Sequence, residues 1–311
     1  MESSQVTYRG LDAIRLETEK LAAVIIPAWG GKIASLYDRT RKREWLHTNP
    51  HVAYRLPDYG ANYVADFDAG GWDDCFPTVS PGLFPTEPWT HVQLPDHGEV
   101  WALPWQAELE ETQVTLTVLG RQLPYRLAKT ITVQGSRLRC DYRLENLAPQ
   151  PLPFLWSSHP TFAVTPGMHL QIPAAIAWVN GGVGAFPAGA GDTIPWPHLG
   201  DWDGSVLPPR DAQVAAKLFF TALTHGAVTL ADPADGSRCT LRFDLAQVPH
   251  VGVWMNFSAW AGMAGVEPYY NLAIEPCIGA ADALLDAYAQ GTAGLVQGHG
   301  ERRWWMEVEV G

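Results

Sequence analysis

Three short stretches of this 311-residue chain set a proton-exchanging side chain among turn residues and aromatics. They are Asp96-His97-Gly98-Glu99-Val100-Trp101, Trp156-Ser157-Ser158-His159-Pro160-Thr161-Phe162 and Asn271-Leu272-Ala273-Ile274-Glu275-Pro276-Cys277. Glu275 ends an apolar run, between Ile274 and Pro276, where a carboxylate is drawn out of water. Burial raises a carboxyl pKa toward the range of a general base. His159 follows Phe154-Leu155-Trp156, and a histidine there can give or take a proton near neutral pH. Each has a plainer reading. A histidine at a strand end is commonly a satisfied structural residue, and a glutamate before proline can simply bond backbone amides. Asp73 and Asp74, in Gly70-Gly71-Trp72-Asp73-Asp74-Cys75-Phe76-Pro77, can be turn formers. Trp29, Trp72, Trp101 and Trp254, taken singly, read as core or rim.

Other chemistries lack their patterns. There is no HxH, HExxH or paired CxxC, so a metal site would need ligands from distant segments. No GxSxG elbow is present. Gly30-Gly31 lacks the spacing of a nucleotide-binding loop, and no cofactor is expected. Cys75, Cys140, Cys239 and Cys277 lie far apart and read as buried, reduced thiols of a cytoplasmic protein.

Composition narrows the partners. A net charge of −12 without a basic stripe excludes a phosphate-grasping nucleic-acid binder and argues against phosphorylated substrates. Charged residues are only 17% of the chain while Trp numbers 14, a balance suited to neutral polar ligands. No apolar run reaches the roughly 18–20 residues of a membrane span, and the N-terminus shows no secretory signal. A monomer or homodimer is expected.

The elements that must hold these residues read as short strands. Val114–Val118, Leu138–Leu144 and Trp304–Val310 alternate apolar and polar residues, the pattern of half-buried strands. Leu21–Ile26, Tyr125–Val133, Ala227–Ala231 and Val251–Phe257 are further strands. Gly (29) and Pro (25) supply many turns between them. Helices are expected only at Ala280–Gln290, stopped by Gly291, and at Lys217–Leu223. Gly181–Pro209, rich in Gly, Pro and Trp, reads as a long excursion over the sheet surface. With strands throughout and no linker, residues 1–311 read as one all-β domain of packed antiparallel sheets.

Taken together, the three stretches resemble motifs of the aldose 1-epimerase (galactose mutarotase-like) family, over most of the chain from about Pro27. Gly30-Gly31-Lys32-Ile33-Ala34-Ser35-Leu36-Tyr37-Asp38 is similar to its opening strand and turn. Asp96-His97-Gly98 is similar to its first histidine motif, Ser158-His159-Pro160-Thr161-Phe162 to its catalytic-acid motif, and Ile274-Glu275-Pro276 to its base motif. The order, with 62 residues between the histidines and 116 from His159 to Glu275, carries the match. The resemblance implies a β-supersandwich and cofactor-free interconversion of α and β anomers of a free sugar. It implies His159 as general acid, acting as an imidazolium, Glu275 as general base, and His97 as a polarising donor. One departure stands out. The family's Asn-Arg pair before the first histidine is represented by Asn62-Tyr63-Val64-Ala65-Asp66, so the sugar-contacting Arg is absent. Trp72, Asp73, Asp74 and Lys32 are the expected replacements for it, with Trp254 or Phe162 as the apolar platform.

Anomer exchange needs these groups because a proton must leave the O1 hydroxyl while the C1–O5 bond opens, and both must be restored on reclosure. Three other readings share the residues. A hexose-6-phosphate 1-epimerase would need a basic clamp. A carbohydrate-binding or sensor protein would have no use for an acid–base pair. A metal-dependent sugar enzyme would lose activity to a chelator.

Overall fold

Side-chain alternation produces two antiparallel sheets whose apolar faces meet. A computed structural model describes residues 2–311. The larger sheet has twelve strands and the smaller has eight. In the larger, strand Lys32–Asp38 is followed in space by Gly71–Cys75, Trp156–Ala163, Tyr270–Ile278, His250–Phe257, Val214–Phe220 and Ile176–Gly184. The smaller sheet is centred on Tyr125–Gln134, Arg137–Asn146 and Glu301–Val310. The fold is therefore all-β, with antiparallel sheets packed as a supersandwich.

The last strand shows how the sequence dictates this. In Glu301–Val310 the residues Trp304, Met306, Val308 and Val310 are buried and those between them are not. They pack with Leu127, Ile131, Leu138 and Leu144 of neighbouring strands and with Trp72, Phe162 and Ile274 of the larger sheet in one continuous core. Each such side chain, fully buried, contributes about 1.5–3 kcal/mol. Tyr142 and Trp156 join the sheets edge to face, 4.9 Å apart. All four cysteines are free and buried.

Two expectations are corrected. The helix expected at Lys217–Leu223 is a strand, Val214–Phe220, buried along its whole length. Cover on both faces erases the period-two signal, and an unbroken apolar run then fits either element. The expected excursion at Gly181–Pro209 contains paired structure. Strand Ile176–Gly184 runs into it through a bulge between Val179 and Gly181, and Thr193–Pro195 pairs back onto it. The other expected helix is present as Leu284–Ala289, with Gly291 just beyond it at φ +71.

Candidate active site

Strand parity decides which side chains reach the site. On Trp156–Ala163, Ser158 and Phe162 face the inter-sheet core, so Ser157, His159 and Thr161 face the opposite side. On Tyr270–Ile278 the same alternation groups Asn271, Ala273, Glu275 and Cys277. Ser157 pairs with Cys277 and Thr161 with Ala273, a register that sets His159 opposite Glu275. On the other flank His159 pairs with Asp73. Beyond Glu275 the register continues through Gly252 and Trp254 to Lys217.

A cavity of about 420 Å³ opens over this face, lined among others by Tyr63, His97, His159, Thr161, Asn180, Lys217, Trp254, Trp260, Asn271 and Asp282. Its size is that of a small-ligand pocket. His159 Nε2 lies 3.8 Å from Glu275 Oε1, beyond hydrogen-bond distance. Glu275 is fully buried, its Oε2 accepting from Lys217 Nζ at 2.5 Å and from Ser157 Oγ at 3.1 Å. Oε1 has no partner, and neither do His159 Nδ1, Asn271 Oδ1 and Asp282 Oδ1. His159, Asn271 and Asp282 line the cavity, with Glu275 buried directly behind His159; buried polar atoms are nearly always satisfied, so these unsatisfied ones mark a place for a polar ligand.

Charge at the site follows from burial and neighbours. Burial alone would raise Glu275, but the adjacent Lys217 ammonium outweighs it and holds the carboxyl below its ordinary range. Burial lowers His159 to about 4, so the ring is neutral at neutral pH. Where an imidazolium was expected, burial favours the neutral imidazole, able to donate one hydrogen bond. Burial also raises Asp282 and Asp68.

His97 is held by its turn. It adopts φ +58 and Gly98 φ +76, and a Cβ at Gly98 would meet the Phe76 carbonyl oxygen at 2.1 Å. Only glycine fits there. The His97 ring stacks on Tyr63 at 4.0 Å, and its Nδ1 contacts Asp96 Oδ1 at 2.9 Å, leaving Nε2 for the cavity. Behind Tyr63, Asp73 Oδ2 accepts from the Tyr63 hydroxyl at 2.8 Å and from Lys32 Nζ at 2.5 Å.

The structure thus brings His159, Glu275, His97 and Trp254 together and separates the other expected site residues. Lys32 and Asp73 are buried behind Tyr63, which they support, and neither lines the cavity. Trp72, Asp74 and Phe162 point the other way, into the core. The Trp72 indole N–H donates to Ser158 Oγ at 2.7 Å, and Asp74 is bonded to Lys129 of the smaller sheet. A ligand in the cavity cannot touch them. Sequence reasoning missed Lys217, Asn271, Asn180 and Asp282. For Lys217 a signal existed, a single polar residue inside an otherwise apolar strand, and Asn271 shares its apolar strand only with Glu275. Asn180 and Asp282 sit in turn-rich sequence that gives no such mark. Asn256, two residues after Trp254, exchanges hydrogen bonds with the Trp260 backbone and so shapes the turn carrying that indole. Among the described residues no group of three or more His, Cys, Asp or Glu side chains gathers as a metal site requires.

A two-sheet supersandwich with an imidazole facing a buried carboxylate defines the class, and relatives place the chain within it. The aldose 1-epimerase family model matches residues 12–180, and the chain belongs to that family. A protein from Synechocystis sp. PCC 6803 has a similar structure, with a TM-score of 0.71 at 18% identity over 99% of both chains. A galactose mutarotase-like protein from Lactobacillus casei gives 0.70 at 18% identity, over 96% of this chain and 100% of that one. At such identity the likeness is one of fold. No curated protein matches the chain closely enough to count as a relative. No helix among the described residues is long and apolar enough to cross a membrane.

Proposed function

We propose that the chain works as one unit, an aldose 1-epimerase that interconverts the anomers of a free, unphosphorylated sugar. The observation that carries this reading is the unpartnered Oε1 of Glu275, 3.8 Å from the His159 ring at the cavity wall. Glu275 takes the proton from the anomeric hydroxyl. The O1 electrons form the carbonyl, C1–O5 breaks, and O5 leaves with the bonding pair. Neutral His159 donates a hydrogen bond to the O5 oxyanion and need not surrender its proton. After the aldehyde turns, O5 attacks its other face and Glu275 returns the proton to O1. Every proton and electron pair is accounted for without a cofactor. His97 Nε2 is placed to meet a neighbouring hydroxyl. Trp254 and Trp260, edge to face at 5.4 Å, offer an apolar wall for the sugar's C–H face.

Charge speaks for a substrate without phosphate. Asp68, Asp96 and Asp282 line the cavity, and among the described residues Lys217 is the one Lys or Arg there, already paired with Glu275. The test is exchange NMR between α and β anomeric protons across a panel of pentoses, hexoses and hexose 6-phosphates. Acceleration is expected for at least one neutral aldose and not for the phosphates. Tight binding of a sugar with no acceleration would make the protein a binder and overturn the proposal.

A further inference from the structure

The resemblance that pointed to His159 and Glu275 gave no role to a lysine, yet an ammonium group touches the proposed base. Lys217 extends from the second strand beyond Glu275, crossing the strand between them at Gly252. A Cβ at Gly252 would lie 3.4 Å from Glu275 Oε2 and 3.4 Å from Lys217 Nζ, so the side-chain-free residue leaves the passage open. Lys217 Nζ donates to Oε2 at 2.5 Å and lies 3.5 Å from Asp282 Oδ1. Asp282 is itself pinned. Its Oδ2 accepts from Asn180 Nδ2 at 2.7 Å, and its backbone oxygen accepts from the N–H groups of Val79 and Ser80 at 2.9 and 2.8 Å.

We propose that Lys217 is a positioning residue that assigns the two oxygens of Glu275 different tasks, tying down Oε2 and leaving Oε1 to the substrate. The inference rests on the function proposed above and adds to it. A carboxylate with both oxygens free could rotate, and buried without a counter-charge it would take up a proton. Lys217 prevents both, and Asp282 keeps the ammonium from swinging away. The other groups facing Glu275 do not supply this charge. His159 is neutral, Ser157 is uncharged, burial raises the Cys75 and Cys277 thiols, and Asp73 is tied to Lys32.

The test is the titration of Glu275, followed by carboxyl-carbon NMR in the full-length wild-type, K217M and K217R proteins, beside pH–rate profiles. In K217M the Glu275 midpoint and the acid limb of kcat should rise together by about one pH unit or more. Activity then falls about tenfold for each pH unit below the raised midpoint and recovers by pH 8.5, with KM little changed. K217R should restore both midpoints. An unchanged midpoint in folded K217M, or an equal loss of rate at every pH, would overturn the proposal. Should K217M fail to fold, K217Q is read in the same way. The titration needs no turnover, so absence of anomer exchange in the wild type would sink the proposed function while the role of Lys217 was still decided.

Discussion

Of three buried lysine–carboxylate pairs, Lys129–Asp74 and Lys217–Glu275 sit on opposite faces of the larger sheet, and they are finished differently. Between the sheets, Asp74 Oδ2 accepts from Lys129 Nζ at 2.8 Å, while Oδ1 accepts from the Tyr142 hydroxyl at 2.9 Å and the Trp156 indole N–H at 3.2 Å. Lys129 also donates to the Gly31 carbonyl at 2.9 Å, and both side chains are fully buried. On the cavity face, Lys217 and Glu275 make as short a contact but leave Glu275 Oε1 and Asp282 Oδ1 unpartnered. A closed polar network fixes structure, whereas an open one waits for a ligand. Neutralising a charge should therefore injure stability on one face and turnover on the other.

The sharpest way to break that contrast is E275Q beside H159N. Each should slow anomer exchange by about 10²–10⁴-fold, read by exchange NMR, while the melting temperature changes little. Near-wild-type rates in both would remove Glu275 and His159 from the reaction. Next comes D74L, which strands the Lys129 ammonium in the core. A loss of about 3–5 kcal/mol in urea unfolding is expected, and the double variant D74L/K129M should recover most of it. Equal damage to stability from E275Q and D74L would erase the distinction. A smaller effect belongs to W254A, with KM about tenfold higher and kcat nearly unchanged if the indole only carries the sugar's apolar face.

The last prediction concerns pH. Burial holds His159 and His47 at about 4, below their ordinary 6.5. Between these values the unfolded chain binds more protons than the folded one. Stability is then complete above about pH 6.5 and declines as pH falls toward 4. Melting temperatures at pH 7.5 and 5 should differ in that direction, and H47N should lessen the difference. The pH–rate profile should show no step near 6.5.

The strands were legible because alternation survives wherever one face is half exposed, as in Arg137–Asn146. In the candidate site, the meeting of His159 and Glu275 was legible because their motifs are compact. The site was misread one residue to either side. Trp72 and Asp74 flank Asp73, and Phe162 lies an odd number of positions from His159, so the pleat turns all three into the core. Counting parity from His159 would have chosen Thr161 over Phe162. No local pattern could reveal Lys217 beside Glu275, because 58 residues of chain and an intervening strand separate them.

The register that sets His159 across from Glu275 joins segments 116 residues apart in the chain. On the proposed function, neither piece of a polypeptide cut between these segments would carry both of these residues. Turnover, on that proposal, would begin only after this pairing had formed, a late event in a topology dominated by non-local contacts. Recovery of anomer exchange during refolding would thus serve as a clock for completion of the whole sheet.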